Sequence, residues 1–379
     1  MKRALLAGLL VLLLGSARAE PLVSPLSNDD IPRILAFGPW PPPPVRDPSN
    51  RVSGQPAAVA WGAALFADTR LARGQTLACA SCHQPRRGFS DGRPVAQGLE
   101  RGMRNTGSLM NVGQQRWFGW DGANDNLWAQ SLRPLLDPGE MGGSLASVAA
   151  AVREHADLRD GYGRVFGVAP GSDDERVAVD VAKALAAYQE TLVSARTPFD
   201  EFRDALQRGD RTGIAAYPLP AQRGLALFIG RGRCYVCHGG PSFSNGEFHD
   251  IGVPFFVAKG KVDAGRFAGI AALKASRYNL LGNFNDDATR ASAISTRHVV
   301  QEHRHFGEFK VPSLRSLAAT DPYMHNGSQR TLREVLRHYS ELDENRLHAD
   351  GESILVPLRL TPGETDDLLA FLDSLNPAR

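Results

Sequence analysis

Alanine, leucine and valine recur along most of the chain at the spacing of one helical face. This period of about 3.6 residues predicts helices over residues 56–71, 144–166, 176–194 and 220–229. A further helix is expected from the TPGE sequence of residues 361–364, a capping box with proline in the first turn, to about residue 375. Alternating patterns typical of strands are scarce. The chain is therefore predicted to be mainly α-helical.

Three segments lack this helical pattern. Residues 37–50 read FGPWPPPPVRDPSN, and four consecutive prolines favour an extended polyproline II conformation, so we expect a stiff leader. Residues 209–219 contain glycine and proline and predict a linker between two halves. Residues 245–309 predict an extended loop system. Each half has the same order of features: a helix, a cysteine pair, a long loop and further helix.

The N-terminus has the features of a cleavable export signal. Basic residues precede an apolar run, residues 4–14, which is shorter than the about 20 residues of a membrane span. The ARA sequence at residues 17–19 predicts cleavage before Glu20. We therefore expect a signal peptide over residues 1–19, a proline-rich leader over residues 20–55, and a periplasmic protein without stable membrane insertion.

Composition and charge narrow the class of protein. The chain has 379 residues, 42% hydrophobic and 22% charged, which is ordinary for a globular protein and long enough for two domains. A formal net charge of +2 gives no reason to expect nucleic acid as a partner.

All four cysteines lie in two CxxCH motifs, CASCH at residues 79–83 and CYVCH at residues 234–238. Two thiols at this spacing add to the two vinyl groups of a haem, and the adjacent histidine ligates the iron. A zinc site would need more ligands, and a redox CxxC pair would need a strand–turn–helix context. The sequence therefore predicts two covalently bound haem c groups. Their protein ligands would be Cys79, Cys82, His83, Cys234, Cys237 and His238.

The sixth ligand of each haem decides its chemistry, because an open position binds peroxide whereas a capped haem mainly carries electrons. Between the two motifs the only histidine is His155, which lies in the alanine-rich helical region. The first haem therefore has no obvious distal histidine. Met103, Met110 and Met141 are alternative caps, although a methionine is more often a core residue.

The chain resembles the bacterial di-haem cytochrome c peroxidase superfamily, most closely its MauG-type branch. The motifs that carry the resemblance are, in order, CASCH, RNTGSLMN, WFGWDGANDNLWAQSLRPLLDPGEMG, CYVCH, FKVPSLRSLAATDPYMHNG and EVLRHY. The resemblance implies two mainly helical cytochrome c-like domains, expected over residues 56–208 and 209–379, with one haem in each. It also implies that peroxide reacts at a five-coordinate haem 1 on His83, while a six-coordinate haem 2 on His238 relays electrons.

The resemblance further implies the sixth ligand of haem 2. Typical peroxidases have a methionine at a fixed distance beyond the histidine of the PYxHxG motif, here His325, and this chain has Tyr339 there, as in the MauG-type branch. A thioether raises the haem potential, whereas an anionic phenolate stabilises high-valent iron. His338 and Met324 are the alternative ligands of haem 2.

The distal side of haem 1 gives a second match to the MauG-type branch, because Gln97 stands where methionine-type peroxidases have a distal histidine.

Other roles follow only from the resemblance. Trp120 matches the tryptophan that transfers electrons or holes between the haems, although an aromatic-rich segment is more often core. Glu140 and Gln130 match the distal-pocket acid and its neighbour, and a carboxylate there moves a proton between the peroxide oxygens. A charge at a helix N-terminus is the structural alternative for Glu140. Pro134 matches a residue packed over the open face of haem 1.

Two more features concern calcium binding and the identity of the partner protein. Asn105, Thr320 and Pro322 match the interdomain calcium site of the family, where an amide oxygen, carbonyls and waters suit a hard cation, although alone they would be turn residues. Gly232 stands where the MauG maturation enzyme has a tryptophan used for hopping to its protein substrate. The hopping route to a protein substrate therefore lacks its tryptophan in this chain.

The leading expectation is an exported di-haem peroxidase of the MauG type. Hydrogen peroxide would react at haem 1, and oxidising equivalents would pass to an external electron donor or a protein substrate. One alternative is a conventional peroxidase that removes hydrogen peroxide with a small cytochrome c or cupredoxin. Another is a non-catalytic di-haem electron carrier or redox sensor, which would need two six-coordinate haems.

Overall fold

The computed structural model describes residues 25–254, 256–258, 261–347, 350 and 354–378. The predicted signal peptide lies outside these residues. The predicted predominance of helix is confirmed. The helices are α1 (Ile31–Leu35), α2 (Pro56–Phe66), α3 (Cys79–Cys82), α4 (Leu127–Leu136), α5 (Leu145–Glu154), α6 (Ala156–Phe166), α7 (Asp174–Gln189), α8 (Pro198–Arg208), α9 (Arg211–Ala216), α10 (Leu219–Ile229), α11 (Arg266–Ala275), α12 (Ile294–His298), α13 (Leu332–Ser340) and α14 (Pro362–Asp373).

Short strands form two antiparallel pairs in the second half of the chain. They are β1 (Phe248–His249), β2 (Phe256–Ala258), β3 (Lys261–Val262) and β4 (Phe309–Lys310). Strand β1 pairs with β4, and β2 pairs with β3. The pairing of β1 with β4 joins the two ends of the long segment between them, and both strands border the cavity described below.

Most of the predicted helices are present with small differences at their ends. The segment predicted as one helical stretch, residues 144–166, is divided into α5 and α6 at His155, whose backbone is extended (φ −96°, ψ 121°). Helix α14 begins as predicted at a capping box, in which the hydroxyl of Thr361 accepts a hydrogen bond from the backbone N–H of Glu364.

Two segments without a helical pattern, the predicted linker and the predicted loop system, nevertheless contain helices. Residues 209–219 contain α9, a helix stabilised at its start by Asp210, which accepts hydrogen bonds from the backbone N–H groups of Thr212 and Gly213. Residues 245–309 contain α11 and α12. Helix α11 forms because it buries apolar side chains and packs so closely that a Cβ on Gly269 would lie 2.1 Å from the Asp121 carbonyl oxygen.

Two hydrophobic clusters form the core. In the first cluster α7 is surrounded by α2, α4 and α5, and α2 crosses α7 so closely that a Cβ on Gly62 would lie 2.0 Å from the Ala184 carbonyl oxygen. In the second cluster α10 packs on α14, and a Cβ on Gly224 would lie 2.0 Å from the Asp367 carbonyl oxygen. Each half thus packs the helix before its CxxCH motif against a later helix through a glycine.

The proline-rich leader packs between these clusters. Phe37 belongs to the second cluster, as do residues of α8, which precedes the boundary predicted after residue 208. The indole Nε1 of Trp40 donates to the Ser194 carbonyl at 2.9 Å, and the guanidinium of Arg315 lies 3.8 Å from the Trp40 ring centroid. Arg315 in turn forms a buried ion pair with Asp200 (2.8 Å).

In the part of the chain that the structure describes, no helix has both the length and the apolar character needed to cross a bilayer.

Candidate functional site

A cavity of about 1320 Å³ lies between the two halves of the chain. This volume exceeds the roughly 300–1,000 Å³ typical of small-molecule pockets. Both CxxCH motifs border it. Their lining residues are Cys79, Cys82, His83, Cys234, Cys237 and His238. One cavity therefore receives all four thiols and both motif histidines, and its size suits large prosthetic groups.

The first motif is held by local hydrogen bonds. Cysteines 79 and 82 lie on the single turn of α3, and the backbone N–H of His83 donates to the Cys79 carbonyl at 2.9 Å. The ring Nδ1 of His83 lies 2.9 Å from the Phe89 carbonyl oxygen, a bond that requires hydrogen on Nδ1 and leaves Nε2 as the metal-binding nitrogen. Burial lowers the pKa of His83, which favours the neutral ring that a metal needs.

The second motif repeats this arrangement on a 3-10 turn (Cys234–Val236). The Nδ1 of His238 lies 3.0 Å from the Phe243 carbonyl oxygen, and burial lowers the pKa of His238 to about 4. Both histidines are therefore held neutral and oriented by a backbone carbonyl, as metal-ligating histidines usually are.

The thiols do not resemble those of a redox-active cysteine pair. Burial raises the pKa of Cys79 to about 12 and that of Cys234 to about 12, whereas reactive cysteines have lowered pKa values. Among the described residues no group of three or more His, Cys, Asp and Glu side chains is arranged to hold a metal ion. These findings disfavour the redox and zinc alternatives and fit attachment of a haem.

All four residues predicted to be catalytic line the cavity: Trp120, Gln130, Pro134 and Glu140. Helix α4 carries Gln130 and Pro134. The carboxylate of Glu140 accepts a hydrogen bond from Arg133 at 2.8 Å, an interaction that the sequence did not indicate. Glu140 and His83 both line the cavity, and the negative charge of Glu140 offsets part of the lowering of the His83 pKa by burial.

The other residues considered as a sixth ligand of haem 1 have different surroundings. Met103, Met110 and Met141 all line the cavity. Gln97 is exposed, and its side chain donates to the Gly98 carbonyl at 3.2 Å. His155 bonds to a carbonyl of its own helix and does not line the cavity. Of the described residues in the first half, only His83 brings an imidazole to the cavity.

Helix α13 presents Tyr339 to the second motif. Tyr339 lines the cavity, and burial, with a smaller contribution from Cys234 and Cys237, raises the pKa of its phenol. The neighbouring His338 is not part of the lining, and its Nε2 lies 2.7 Å from the Ile251 carbonyl oxygen. Met324 lines the cavity as well. The phenol therefore faces the thiols of the second motif, while His338 is engaged by the backbone.

Trp120 connects the two halves. Its indole Nε1 donates to the Asn105 carbonyl at 2.9 Å, and its own carbonyl accepts from the backbone N–H of Lys310 at 2.8 Å. Asn105 in turn donates its backbone N–H to the His325 carbonyl at 2.7 Å. The imidazole of His325 is stacked on Phe309 with 3.5 Å between centroids, and burial lowers its pKa to about 4.

The residues predicted to bind calcium border the same cavity. The side-chain amide of Asn105 donates from Nδ2 to the Arg93 carbonyl at 2.8 Å, which leaves Oδ1 to accept or to ligate. Thr320 and Pro322 would contribute oxygens from the segment before His325. Gly232 also lines the cavity, next to the second motif.

Comparisons with known proteins agree with this site. The family model described as di-haem cytochrome c peroxidase matches residues 56–208. The methylamine utilization protein MauG of Methylorubrum extorquens is 36% identical over 322 residues, which cover 84% of this chain and 78% of that protein. Cytochrome-c peroxidase IdrP1 of Denitromonas iodatirespirans is 32% identical, covering 90% of this chain and 86% of that protein.

Solved structures share the fold. A MauG-like protein associated with microbial copper homeostasis has a TM-score of 0.69 and 28% identity, covering 90% of this chain and 96% of that one. The diheme peroxidase BthA from Burkholderia thailandensis has a TM-score of 0.69 and 23% identity, covering 88% of this chain and 89% of that one.

Proposed function

This chain belongs to the di-haem cytochrome c peroxidase family, and on that premise we propose that it is an exported peroxidase of the MauG type that uses hydrogen peroxide as its oxidant. Its relatives are di-haem oxidoreductases, so the chain is an enzyme of that class with two haem cofactors. One observation carries the proposal: both CxxCH motifs and Tyr339 line a single cavity, to which the described part of the first half contributes no histidine besides His83.

The proposal places one covalent haem c in each of two cytochrome c-like domains, residues 56–208 and 209–379. The repeated packing of a helix before each CxxCH motif, through Gly62 and through Gly224, supports two equivalent units. Because α8 packs in the second cluster, the clusters favour a boundary just before that helix.

The motif residues would hold the haems by known chemistry. Each cysteine pair would form thioethers with the vinyl groups, and His83 and His238 would ligate iron through Nε2, since their Nδ1–H groups are bonded to carbonyls. When bound, the haems supply the redox equivalents that reduce peroxide to water. The carbonyl bonds fix the imidazole orientation in advance, so little ordering is needed when iron binds.

Glu140 and Arg133 would handle the proton at the peroxide site. As a carboxylate facing the cavity, Glu140 would take a proton from one oxygen of hydrogen peroxide and deliver it to the other oxygen, which would leave as water. Arg133 donates to this carboxylate and would hold it in a fixed orientation. Gln130, fixed by a 2.8 Å bond from Asn124, and Pro134 would restrict the space above haem 1.

Trp120 and Tyr339 would couple and tune the second haem. The indole of Trp120 is held between the halves by bonds at both its ring and its backbone, which suits transfer of electrons across the cavity. Tyr339 as the sixth ligand would bind as a phenolate, since the iron charge overcomes the raised pKa. Asn105, Thr320 and Pro322 would hold a calcium ion that joins the two halves.

The external reductant would be a small c-type cytochrome or cupredoxin, or a protein substrate in the periplasm. Relatives named cytochrome-c peroxidases favour the cytochrome donor. Gly232 also favours a small redox partner, because a glycine cannot provide the hopping site that a tryptophan offers.

Electron paramagnetic resonance of the ferric protein tests the proposal. We expect one high-spin and one low-spin haem, because the described part of the first half brings no histidine besides His83 to the cavity, whereas Tyr339 is proposed to ligate the haem of His238. Stoichiometric hydrogen peroxide should abolish both signals, because both haems then share the oxidation. Two low-spin signals that peroxide leaves unchanged, in the ferric and in the one-electron-reduced protein, would instead support the electron carrier.

Replacement of Glu140 by glutamine should slow the reaction with peroxide by about 10²–10⁴-fold, the usual contribution of a general acid–base. The measurement is the second-order rate in stopped-flow absorbance. Glu100→Gln is the matched control, because Glu100 also lines the cavity and adjoins Glu140 through a backbone bond to Gly139. Equal rates for the two variants would remove Glu140 from the mechanism.

A further inference from the structure

Two cations on one wall of the cavity, the buried Arg266 and the half-buried Lys310, form no ion pair with a carboxylate of the described residues. Arg266, on α11, is 3% exposed, and Lys310, on β4, projects into the same region. Neither forms an ion pair with a carboxylate among the residues that the structure describes. Buried cations are normally paired, because an uncompensated charge inside a protein is costly.

The guanidinium of Arg266 is held between two aromatic rings. Its central carbon lies 4.4 Å from the centroid of Trp117 and 4.0 Å from that of Phe248. Its Nη1 donates hydrogen bonds to the backbone carbonyls of Asp121 and Gly122, at 3.3 and 2.8 Å. Burial lowers the pKa of Arg266 to about 10, although the charges of Asp121, Glu247 and Glu308 act in the opposite direction.

The acidic groups around Arg266 are engaged elsewhere. The carboxylate of Asp121 pairs with Arg104, and that of Glu308 lies 2.9 Å from His305. Glu247 lies 3.8 Å from the exposed Arg116. None of these three carboxylates is therefore within ion-pairing distance of Arg266.

Lys310 is in a comparable position. Its Nζ donates to the side-chain oxygen of Gln115 and to the Trp117 carbonyl, the latter at 3.2 Å. Both partners are neutral. Burial lowers the pKa of Lys310 to about 8. Because Arg266 stacks on the ring of Trp117 and Lys310 bonds to its carbonyl, the two cations belong to one site.

Among the described residues, the other buried cations are Lys183, Arg203 and Arg315, and each is paired with a carboxylate, as is the half-buried Arg104. Lys183 contacts Asp286 at 2.5 Å, and Arg315 contacts Asp200 at 2.8 Å. Arg104 contacts Asp263 at 2.7 Å. Arg266 and Lys310 differ from these cations, because their described partners are neutral groups and aromatic rings.

We propose that Arg266 and Lys310 form a carboxylate-binding subsite for the propionate groups of a haem seated against Trp117. The inference rests on the proposed function, since it requires haem in this cavity. A haem carries two propionates, and an arginine and a lysine on one wall match two carboxylates in number and charge. The two cations would thus orient the haem and raise its reduction potential, because positive charge near the macrocycle favours the reduced iron.

Spectroelectrochemical titration of the Lys310→Met holoprotein tests the subsite. At the wild-type midpoint potential we expect the ratio of reduced to oxidised haem to fall at least about tenfold for one haem, a shift of about 59 mV for one electron. Lys310→Arg should restore the wild-type ratio, because it keeps the charge. Arg266→Gln and Arg266→Lys form a second pair that carries the test if Lys310→Met does not fold.

Arg116→Gln is the matched control, because it removes one positive charge from the same region at a side chain that is 64% exposed and therefore screened by solvent. A shift no larger than that of this control in both charge-removing variants overturns the proposal. The proposal is also overturned if inorganic phosphate, added to the dialysed wild-type protein, changes its haem reduction potential, because the anion bound by the two cations would then be a free ion. The haem content and the spin states of the wild type and of the variants are recorded separately. A wild type without two haems, or without the expected spin states, would contradict the proposed function rather than the subsite.

Discussion

A variant in which alanine replaces both Cys79 and Cys82 is expected to carry one covalent haem instead of two and to lose its reaction with hydrogen peroxide completely. The thioether bonds to haem 1 can form only at these thiols, which line the cavity beside His83. Because the proposed open haem is the one on His83, its loss removes the peroxide site. Haem content is measured by pyridine haemochrome absorbance, and peroxide reactivity by stopped-flow absorbance.

The paired variant, with alanine at Cys234 and Cys237, serves as the control. It should also retain one covalent haem, yet still react with peroxide in a single step at haem 1. It should turn over slowly, because the electron relay is missing. The absorbance of the remaining haem in each variant reports that the other half is folded. If the Cys79/Cys82 variant still reacted with peroxide and the Cys234/Cys237 variant did not, the assignment of the two haems would be reversed.

Replacement of Tyr339 by methionine should raise the potential of haem 2 by a few tenths of a volt, since axial ligands set haem potentials over a range of roughly 0.8 V. The phenolate oxygen stabilises ferric and higher-valent iron, whereas a thioether favours ferrous iron. Potentiometric titration followed at the Soret band measures the change. We also expect the loss of peroxide-induced oxidation at haem 2, because a thioether stabilises that state poorly.

Two control variants separate ligation from general effects. Tyr188→Phe removes a tyrosine that packs on Phe66, next to the ring of His83, and should leave haem 2 unchanged. His338→Gln should also leave the potential of haem 2 nearly unchanged, because His338 is bonded to the Ile251 carbonyl rather than turned to the cavity. A large shift in His338→Gln together with none in Tyr339→Met would make His338 the ligand.

The helical content could be predicted because amphipathic periodicity is a local property of the sequence. The errors arose where tertiary contacts outweighed local preference. Helix α11 has little distinct pattern, yet Ile270 and Leu273 are fully buried and Gly269 allows close packing on the Asp121 backbone. The division between α5 and α6 at His155 falls within a continuous apolar pattern, so periodicity could not locate it.

The residues of the candidate site likewise fall into those that the sequence identifies and those that it does not. The CxxCH motifs could be identified because haem attachment needs thiols and an imidazole within five consecutive residues. Arg133 beside Glu140 and Arg266 beside Trp117 could not be identified as site residues, because arginines are frequent throughout the chain. Only their burial and their partners distinguish them.

The sequence by itself determined that the chain is mainly helical, that its cysteines suit two haems, and which family it resembles. These properties depend on residue periodicity, on covalent chemistry and on short ordered motifs, which are all readable along the chain. Only the tertiary structure decided that both motifs open into one cavity and that Tyr339 rather than His338 faces it. It also decided that Arg266 and Lys310 pair with no carboxylate of the described residues. Those properties depend on distances between residues far apart in the chain, which are set by the packing of the two hydrophobic clusters.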